Sequence, residues 1–240
     1  MDTYNVSESM LDSTAEIDCK RVVANALKIK FYGERSLLLS KLSFGVRLGM
    51  EAILETGGIT GLLEWVSGYD TLLLIFESAH AATVASEQIS DFGLVTDDEK
   101  ASGRLIKIPV EYSGVDLESV AKQVGLSVGA VIERHAAPEY RVRMMGFMPG
   151  FPYLDGLDPV LHLPRRGSPR DRIEPGTVAI GGPHAGIYSV ASPGGWHLLG
   201  KTQFVLFDLG LASGKGACGA FKIKVGDRVR FVPKEVNTTK

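Results

Sequence analysis

The sequence predicts an α/β N-terminal unit over residues 25–100, followed by a mainly-β barrel over residues 104–240. Three observations lead to this prediction. Before residue 100, paired apolar segments of strand length are interspersed with two segments of helical spacing. After Val178, short apolar segments lie between turn residues, as in closed or nearly closed barrels. Residues 146–200, which overlap the start of the second region, contain eight of the eleven prolines and eleven of the twenty-eight glycines.

A polar tail is predicted before the first strand. Residues 1–24 are rich in Ser, Asp, Glu and Thr and lack periodicity, which indicates disorder. Apolar residues then alternate or cluster over residues 27–32 and 36–42, and Gly33 suits a tight turn between the two segments. The N-terminal unit is therefore expected to begin with a pair of strands.

A helix, a second strand pair and a second helix complete the predicted N-terminal unit. Residues 44–54 carry apolar residues at helical spacing, and the two glycines that follow suit the end of a helix. Residues 61–67 and 71–77 have the pattern of two strands around a turn, and residues 79–92 that of a helix. Residues 97–103 are polar, so the domain boundary is placed there.

The barrel half is predicted to begin with a strand and two short helices. Residues 104–112 have the pattern of a strand, and residues 116–124 and 127–136 have the spacing of helices, the second capped by Ser127. Further strands are predicted at residues 140–145, 186–191, 203–208, 221–225 and 227–232. Most of residues 146–200 is predicted to form rigid loops, because proline fixes the backbone and glycine permits unusual turns.

The composition is that of a folded protein without membrane spans. The chain has 240 residues, 45% hydrophobic and 22% charged, with a formal net charge of -2. No apolar run approaches the roughly 20 residues that cross a bilayer, and the N-terminus lacks the apolar core of a signal peptide, so a cytoplasmic protein is predicted. Two cysteines and five histidines without paired spacing predict neither a disulfide framework nor a metal site.

Two short motifs have structural interpretations. Residues 121–132 have the spacing of a helix-turn-helix, but the second helix offers few side chains for reading bases and no basic excess. Nucleic-acid binding is therefore not predicted. Residues 214–219 match a dinucleotide-binding glycine pattern, but the residues that follow alternate like a strand, so a hairpin loop is predicted there.

Residues 146–200 carry the candidate binding site, because rigid loops with aromatic and cationic side chains suit the wall of a pocket. Guanidinium groups bind carboxylate or phosphate through paired hydrogen bonds, and glycine N–H groups can stabilise an oxyanion. The candidate substrate- or phosphate-binding residues are Arg165, Arg166, Arg170, Phe147, Phe151, Tyr153, Tyr188, Trp196, Gly181, Gly182, Gly194 and Gly195. The catalytic candidate is His184, whose imidazole can donate, accept or transfer a proton.

Other interpretations of these side chains remain open. Arg165, Arg166, Arg170 and the neighbouring Arg172 form a cationic cluster, which also suits a solvated loop paired with Asp158, Asp171 or Glu174, or an interface with another subunit. The aromatic residues suit ordinary barrel packing equally well. The histidines other than His184 suit packing or surface positions.

Several ordered blocks carry a family resemblance: residues 146–156, 164–170, 175–178, 186–188, 192–196 and 206–208. They resemble the signature of the family of bacterial 5-oxoprolinase B subunits, which is also labelled allophanate hydrolase subunit 1 and includes a sporulation kinase A inhibitor. Ordered blocks are more specific than one short pattern. A fainter resemblance extends from about Leu27 to Val229, so it covers most of the chain.

This resemblance implies a cyclophilin-like barrel in a subunit of an ATP-dependent 5-oxoprolinase, a cyclic-amide hydrolase that opens the lactam of 5-oxoproline to glutamate. It implies ATP with Mg²⁺ as cofactor, at a site shared between subunits, and subunits C and A as partners that activity requires. Phosphorylation of the lactam carbonyl would create a leaving group. Arg165 and Arg166 would hold carboxylate or phosphate, and His184 would orient or move a proton.

Two other functions are also implied. Kinase-inhibitor relatives imply binding to a histidine kinase, and related sequences within urea carboxylase proteins imply urea- or allophanate-related amide metabolism. The chain departs from the family at His184 and Ala185, where Gln-Thr is more usual, and in a shorter loop over residues 112–116. The first departure changes the hydrogen-bonding group and removes a hydroxyl, and the second bears on substrate preference if the longer loop of the relatives covers the ligand.

Overall fold

The structure, a computed structural model, describes residues 27–90, 92, 103–212 and 217–234. The predicted tail at residues 1–24, the predicted boundary at residues 97–102 and residues 214–216 of the glycine motif lie outside this part of the chain. The division into two domains therefore stays a prediction. Within the described ranges, no helix has the length and apolar character that crossing a membrane requires.

The first elements form an antiparallel sheet packed against two helices. In chain order they are β1 (Lys28–Phe31), β2 (Ser36–Ser40), α1 (Phe44–Glu55), β3 (Leu62–Ser67), β4 (Thr71–Phe76) and α2 (Ala79–Ser90). The sheet order is β1-β2-β4-β3. Alternate residues of β2 and β4, such as Leu37 and Leu74, pack against Met50 of α1 and Ile89 of α2 in a core of their own. These elements lie where the residue pattern places them.

The later elements begin with one strand and a pair of helices. In chain order they are β5 (Leu105–Val110), α3 (Leu117–Val124), α4 (Val128–Ala136), β6 (Tyr140–Met145), β7 (Pro152–Asp155), β8 (Arg170–Ile173), β9 (Thr177–Gly181), β10 (His184–Ile187), β11 (Ser192–Gly194), β12 (His197–Lys201), α5 (Leu209–Ala212) and β13 (Arg228–Pro233). Gly125, in the left-handed conformation, ends α3. The Ser127 hydroxyl accepts a hydrogen bond from the Ala130 N–H, which confirms the predicted cap of α4.

Seven of these strands form a nearly closed barrel, in the order β12-β9-β10-β7-β6-β13-β5. Strands β13 and β5 pair in parallel. The two edges of the sheet meet just beyond β5, where Glu111 and Lys201 exchange two backbone hydrogen bonds of 2.8 Å each. The barrel encloses a core that includes Val142, Ile180 and Phe231. The prediction of a nearly closed barrel is therefore confirmed.

The glycine- and proline-dense region is more regular than predicted, because it contains the six strands β7 to β12. Two of them, β8 and β11, form a separate two-stranded sheet. The strands predicted at residues 203–208 and 221–225 are wrong, since Phe207 and Phe221 form only an isolated bridge. The apolar alternation there places Leu206 and Ile223 in the barrel core without a strand ladder. Of the strand predicted at residues 186–191, only the first two residues belong to β10.

The N-terminal sheet and the barrel meet through polar and cation-aromatic contacts. The Tyr69 hydroxyl donates a hydrogen bond of 2.6 Å to Oδ2 of Asp155 at the end of β7. The guanidinium of buried Arg47 donates to the carbonyl oxygen of Arg143 in β6. The Arg143 guanidinium lies 5.0 Å from the ring centre of Phe44 and 4.7 Å from that of Tyr69.

Candidate functional site

An aromatic cavity of about 230 Å³ lies beside the β8–β11 sheet. Its lining consists of Phe147, Phe151, Tyr153, Arg165, Pro169, Tyr188, Pro193, Gly194, Gly195 and Trp196. Eight of the residues predicted for the site therefore come together here. They come from the loop after β6, from β7, from the segment before β8, from the residue that follows β10, and from the end of β11 with the two residues after it.

The aromatic rings pack edge to face around Phe151. Its ring centre lies 5.6 Å from that of Phe147, 5.2 Å from Tyr153, 5.3 Å from Tyr188 and 5.4 Å from Trp196. Edge-to-face pairs contribute about 0.5–1.5 kcal/mol beyond the burial of their area. The cluster therefore gives the cavity a rigid apolar wall.

Three glycines make room for these rings. A Cβ atom on Gly181 would lie 2.7 Å from Cγ of Trp196, and one on Gly186 would lie 2.8 Å from Cζ of Phe151. A Cβ on Gly194 would lie 2.1 Å from the hydroxyl oxygen of Tyr188. The glycines are needed because the rings lie directly against the backbone of the strands.

The loop over the cavity is held in an unusual backbone conformation. Phe147 has a φ of 67° and its side chain is exposed, at 62%. The Met148 N–H donates a hydrogen bond of 2.8 Å to the carbonyl oxygen of Gly146, which tightens the turn around Phe147. A non-glycine residue in this region costs about 1–3 kcal/mol, and such residues cluster at ligand sites. The Phe147 ring is thus a candidate ligand contact at the cavity mouth.

Two of the predicted arginines are engaged by a buried carboxylate. Nη1 of Arg166 lies 3.1 Å from Oδ1 of Asp116, and Nη2 of Arg170 lies 2.7 Å from the same oxygen. The Leu198 N–H donates to Oδ2 of Asp116 at 2.8 Å. Burial alone would raise the pKa of Asp116, but these hydrogen bonds and the two cations hold it below the ordinary value.

Arg165 is the arginine of this segment that faces the cavity. Its guanidinium carbon lies 6.0 Å from the ring centre of Trp196, and within the described ranges it has no carboxylate partner. Of the ion pairs suggested from the sequence, the one between Arg172 and Glu174 is present, whereas Asp158 pairs with Arg134 from outside this cluster. A cation next to apolar rings can bind the carboxylate of a small ligand.

His184 lies outside this lining, next to the junction with the N-terminal sheet. Its Nδ1 lies 3.1 Å from Oδ1 of Asp155. Burial alone would raise the pKa of Asp155, but the hydrogen bonds from His184 and Tyr69 keep it below the ordinary value. Because an ionised carboxylate only accepts, Nδ1 of His184 carries the proton in this pair. The ring of Tyr153 separates His184 from Trp196, with centres 6.1 Å and 5.8 Å away.

The four glycines whose backbone N–H groups were predicted to stabilise an oxyanion do not all lie at the cavity. The Gly182 N–H donates a hydrogen bond of 2.7 Å to the carbonyl oxygen of Leu163. Gly181 belongs to β9 and is opposite His184 in the ladder with β10. Gly194 and Gly195 line the cavity, so these two glycines are the oxyanion candidates that remain next to it.

Three other histidines have structural contacts. Nδ1 of His135 lies 2.8 Å from the Tyr112 hydroxyl, and complete burial lowers the pKa of His135 to about 3. His162 donates to the carbonyl oxygen of Leu157 and His197 to that of Pro164. These contacts agree with packing positions.

The cavity does not fit a nucleoside triphosphate. Its volume of about 230 Å³ is below the ~300–1,000 Å³ typical of sites for drug-sized ligands, and Arg166 and Arg170 are occupied by Asp116. Among the residues that the structure describes, no group of three or more His, Cys, Asp or Glu side chains could hold a metal ion.

Signals for Asp116 were absent from the sequence. It lies 50 residues before Arg166, and its position predicts only the end of the shortened loop over residues 112–116 and the start of a helix. The roles of Gly181 and Gly186 were equally hidden, because the need for glycine arises from rings that approach across strands. A buried contact partner of this kind emerges only once the strands are placed in three dimensions.

Comparisons with known proteins agree on a family. Residues 27–214 match the family described as the carboxyltransferase domain, subdomain C and D. The chain is 38% identical over 178 residues to the B-subunit of the 5-oxoprolinase of Escherichia coli O157:H7, a match that covers 72% of this chain and 79% of the relative.

Solved structures show the same fold. The protein TTHA0988 is 34% identical and has a TM-score of 0.70, over 86% of this chain but only 41% of its own. The urea carboxylase of Kluyveromyces lactis is 18% identical with a TM-score of 0.63, over 87% of this chain and 22% of its own. The second likeness concerns the fold alone.

Proposed function

The chain belongs to the family of 5-oxoprolinase B subunits, and on this premise we propose that it is one subunit of an ATP-dependent 5-oxoprolinase. That enzyme opens the lactam of 5-oxoproline to glutamate. The observation that carries the proposal is the aromatic cavity with Arg165 in its wall, because 5-oxoproline is a small ring that bears one carboxylate. The role of this subunit is to hold the lactam while partner subunits complete its activation and hydrolysis.

In the proposed complex, Arg165 binds the substrate carboxylate through its guanidinium. The rings of Phe151, Tyr188 and Trp196 enclose the apolar methylene side of the lactam, and the exposed ring of Phe147 covers the opening. Excluding water strengthens the interaction between the two charges. The lactam carbonyl then lies in reach of the N–H groups of the Gly194–Gly195 segment.

The other predicted site residues have indirect roles in this proposal. Arg166 and Arg170 shape the cavity through Asp116 rather than clamp the ligand. His184, whose tautomer is fixed by Asp155, is proposed to orient or move a proton next to the N-terminal sheet. Its distance from the cavity makes it secondary to Arg165.

We place the nucleotide with its Mg²⁺ at a site that partner subunits complete, because the cavity is too small for it. The proposed partners are subunits C and A, and the isolated chain is expected to be inactive. The alternatives have weaker support: the likeness to urea carboxylase concerns the fold alone, and no observation favours a histidine kinase as the partner.

The decisive experiment is reconstitution. The chain is co-expressed with its candidate subunits C and A, and 5-oxoproline-dependent formation of ADP and glutamate is measured with each component omitted in turn. Coupled products that require this chain support the proposal. A stable complex without turnover would reject it in favour of another amide substrate or a binding role.

Arg165→Ala tests the assignment of the cavity. We expect kcat/KM for 5-oxoproline to fall by about tenfold or more, because hydrogen bonds to charged groups contribute about 1.5–3 kcal/mol. The matched control is Arg172→Ala, which removes an exposed arginine paired with Glu174 and is expected to leave kcat/KM unchanged. Equal effects of the two variants would contradict the assignment.

A further inference from the structure

Asp116 is a charged group placed behind the cavity instead of inside it. It is 4% exposed and lies directly before α3. Its backbone and side chain both bond to Leu198: the Asp116 N–H donates to the Leu198 carbonyl oxygen at 3.2 Å, and the Leu198 N–H donates to Oδ2 at 2.8 Å. Its other carboxylate oxygen accepts from Arg166 and Arg170.

These partners belong to the two walls of the cavity. Arg165 and Pro169 are on the first wall, in the same segment as Arg166 and Arg170. Gly194, Gly195 and Trp196 form the second wall, which continues directly to Leu198. The walls are also joined by the Arg166 N–H, which donates a hydrogen bond of 2.8 Å to the Gly195 carbonyl oxygen. One carboxylate therefore binds both walls from behind.

We propose that Asp116 is a positioning residue for the substrate site, holding the segment of residues 165–170 against the segment of residues 194–198 so that Arg165 faces Trp196 across the cavity. The identity of the ligand rests on the proposed function, but the positioning itself does not. The geometry that Asp116 maintains is the 6.0 Å separation between the Arg165 guanidinium carbon and the Trp196 ring centre.

A simpler role would be charge balance, and it predicts the opposite result. If Asp116 only neutralised Arg166 and Arg170, Asp116→Asn would leave more positive charge beside the cavity and would tighten the binding of an anionic substrate. If Asp116 positions the walls, the same substitution frees two guanidinium groups and leaves only backbone bonds between the walls. The walls can then shift relative to each other, which weakens binding. Asp116→Glu keeps the charge but displaces the carboxylate, so only positioning predicts a defect in this variant.

Asp227 provides a matched control. It is also buried, and its carboxylate accepts from the backbone N–H groups of Arg104 and Lys224 and from the Arg104 guanidinium. Asp227 lies directly before β13 and does not line the cavity. Asp227→Asn therefore removes a comparable network without touching either wall.

The first test uses the reconstituted enzyme complex with 5-oxoproline. For Asp116→Asn we expect KM to rise by about tenfold, with kcat within about twofold, since the loss concerns substrate binding. The KM of Asp116→Glu should lie between that of Asp116→Asn and that of the wild type, and Asp227→Asn should retain the wild-type KM. An unchanged or lower KM in Asp116→Asn, or an equal rise in Asp227→Asn, would overturn the proposal.

The second test needs neither substrate nor partners. In a Trp65→Phe background Trp196 is the remaining tryptophan, so its quenching by neutral acrylamide reports how closely the walls enclose it. We expect Asp116→Asn to increase the quenching constant at least twofold over the background protein, and Asp227→Asn to leave it unchanged. Equal quenching in all three proteins would overturn the positioning role even if 5-oxoproline proves to be the wrong substrate.

Discussion

At the scale of single residues, Gly181 and Trp196 show how an absent side chain builds the cavity. The Trp196 ring lies against the backbone of β9 at Gly181, where the Cβ of any other residue would lie 2.7–2.8 Å from three ring atoms. We expect Gly181→Ala to displace the indole and destabilise the fold by about 1–3 kcal/mol, the typical cost of overpacking. Urea unfolding in the Trp65→Phe background, followed by the fluorescence of Trp196, measures both effects.

Gly167→Ala is the control for this substitution. Gly167 lies in the segment that carries Arg165, but a Cβ there would meet no atom within 4 Å, and its φ is outside the left-handed region. Its free energy of unfolding should stay within about 0.5 kcal/mol of the wild type. A Gly181→Ala protein as stable as Gly167→Ala would refute the steric account.

Asp155 makes stability depend on pH. Hydrogen bonds from His184 and Tyr69 lower the pKa of Asp155 in the folded protein, although burial opposes them. A carboxyl group with a lowered folded-state pKa contributes stability above its unfolded-state pKa of about 3.9, and this contribution is lost as the pH falls through the folded-state value. The stability difference between the wild type and Asp155→Asn should be present at pH 7 and pH 5 and should shrink below about pH 4.

Urea titrations of both proteins at pH 7, 5 and 3 measure this difference. Asp171→Asn, at an exposed position of β8, shows how much of the change belongs to exposed carboxylates in general. If the gap between the wild type and Asp155→Asn stayed constant down to pH 3, the lowered pKa would not contribute to stability.

The residue scale also shows where prediction from the sequence ends. The aromatic residues and Arg165 were identifiable because proline and glycine around them indicated a shaped site. Local sequence did not distinguish Arg165 from Arg166. Only the structure shows that Asp116 pairs with Arg166, whereas Arg165 faces the cavity. Selection between adjacent identical side chains depends on partners distant in the chain.

At the scale of elements, the cap of α4 is a local device with a measurable effect. The Ser127 hydroxyl accepts from the Ala130 N–H, which would otherwise lack a partner in the first turn of the helix. Ser127→Ala should lower the free energy of unfolding by about 1 kcal/mol, while Ser127→Asp should retain the cap. Thermal unfolding of the two variants tests this, and equal losses would rule out capping as the cause.

The predictability of each element follows from where its partner lies. In the N-terminal sheet, β1 pairs with β2 and β3 with β4, each across a short turn, so apolar alternation and turn residues were enough. Strands β8 and β11 contain or adjoin proline and pair across a gap in sequence, so their pattern resembled a loop. The strands predicted at residues 203–208 and 221–225 were wrong because Leu206 and Ile223 are buried in the barrel core without belonging to a strand ladder, and such burial produces the same alternation of apolar residues.

At the scale of the whole molecule, Tyr69 connects the N-terminal sheet to the barrel. Burial and the carboxylate of Asp155 raise the pKa of Tyr69 to about 12, so its hydroxyl remains a hydrogen-bond donor at neutral pH. Tyr69→Phe removes one hydrogen bond between the two parts and should destabilise the protein by about 1 kcal/mol. Calorimetry should also show a broader transition, since the sheet and the barrel become less coupled.

Tyr32→Phe is the control, because Tyr32 is an exposed tyrosine next to the same sheet. Its unfolding transition should match that of the wild type. A Tyr69→Phe protein with a transition of wild-type width and midpoint would show that the junction depends on the Arg47 and Phe44 contacts instead.

During synthesis, the first barrel strand emerges long before its parallel partner. Leu105 of β5 pairs with Arg228 of β13, and Glu111 pairs with Lys201 on the other side. Until Lys201 and Arg228 have left the ribosome, β5 and the adjoining Glu111 lack their partners, and such distant pairings form slowly. A nascent chain stalled before Arg228 should therefore carry an open, protease-sensitive barrel, whereas the sheet of β1 to β4 can already be complete.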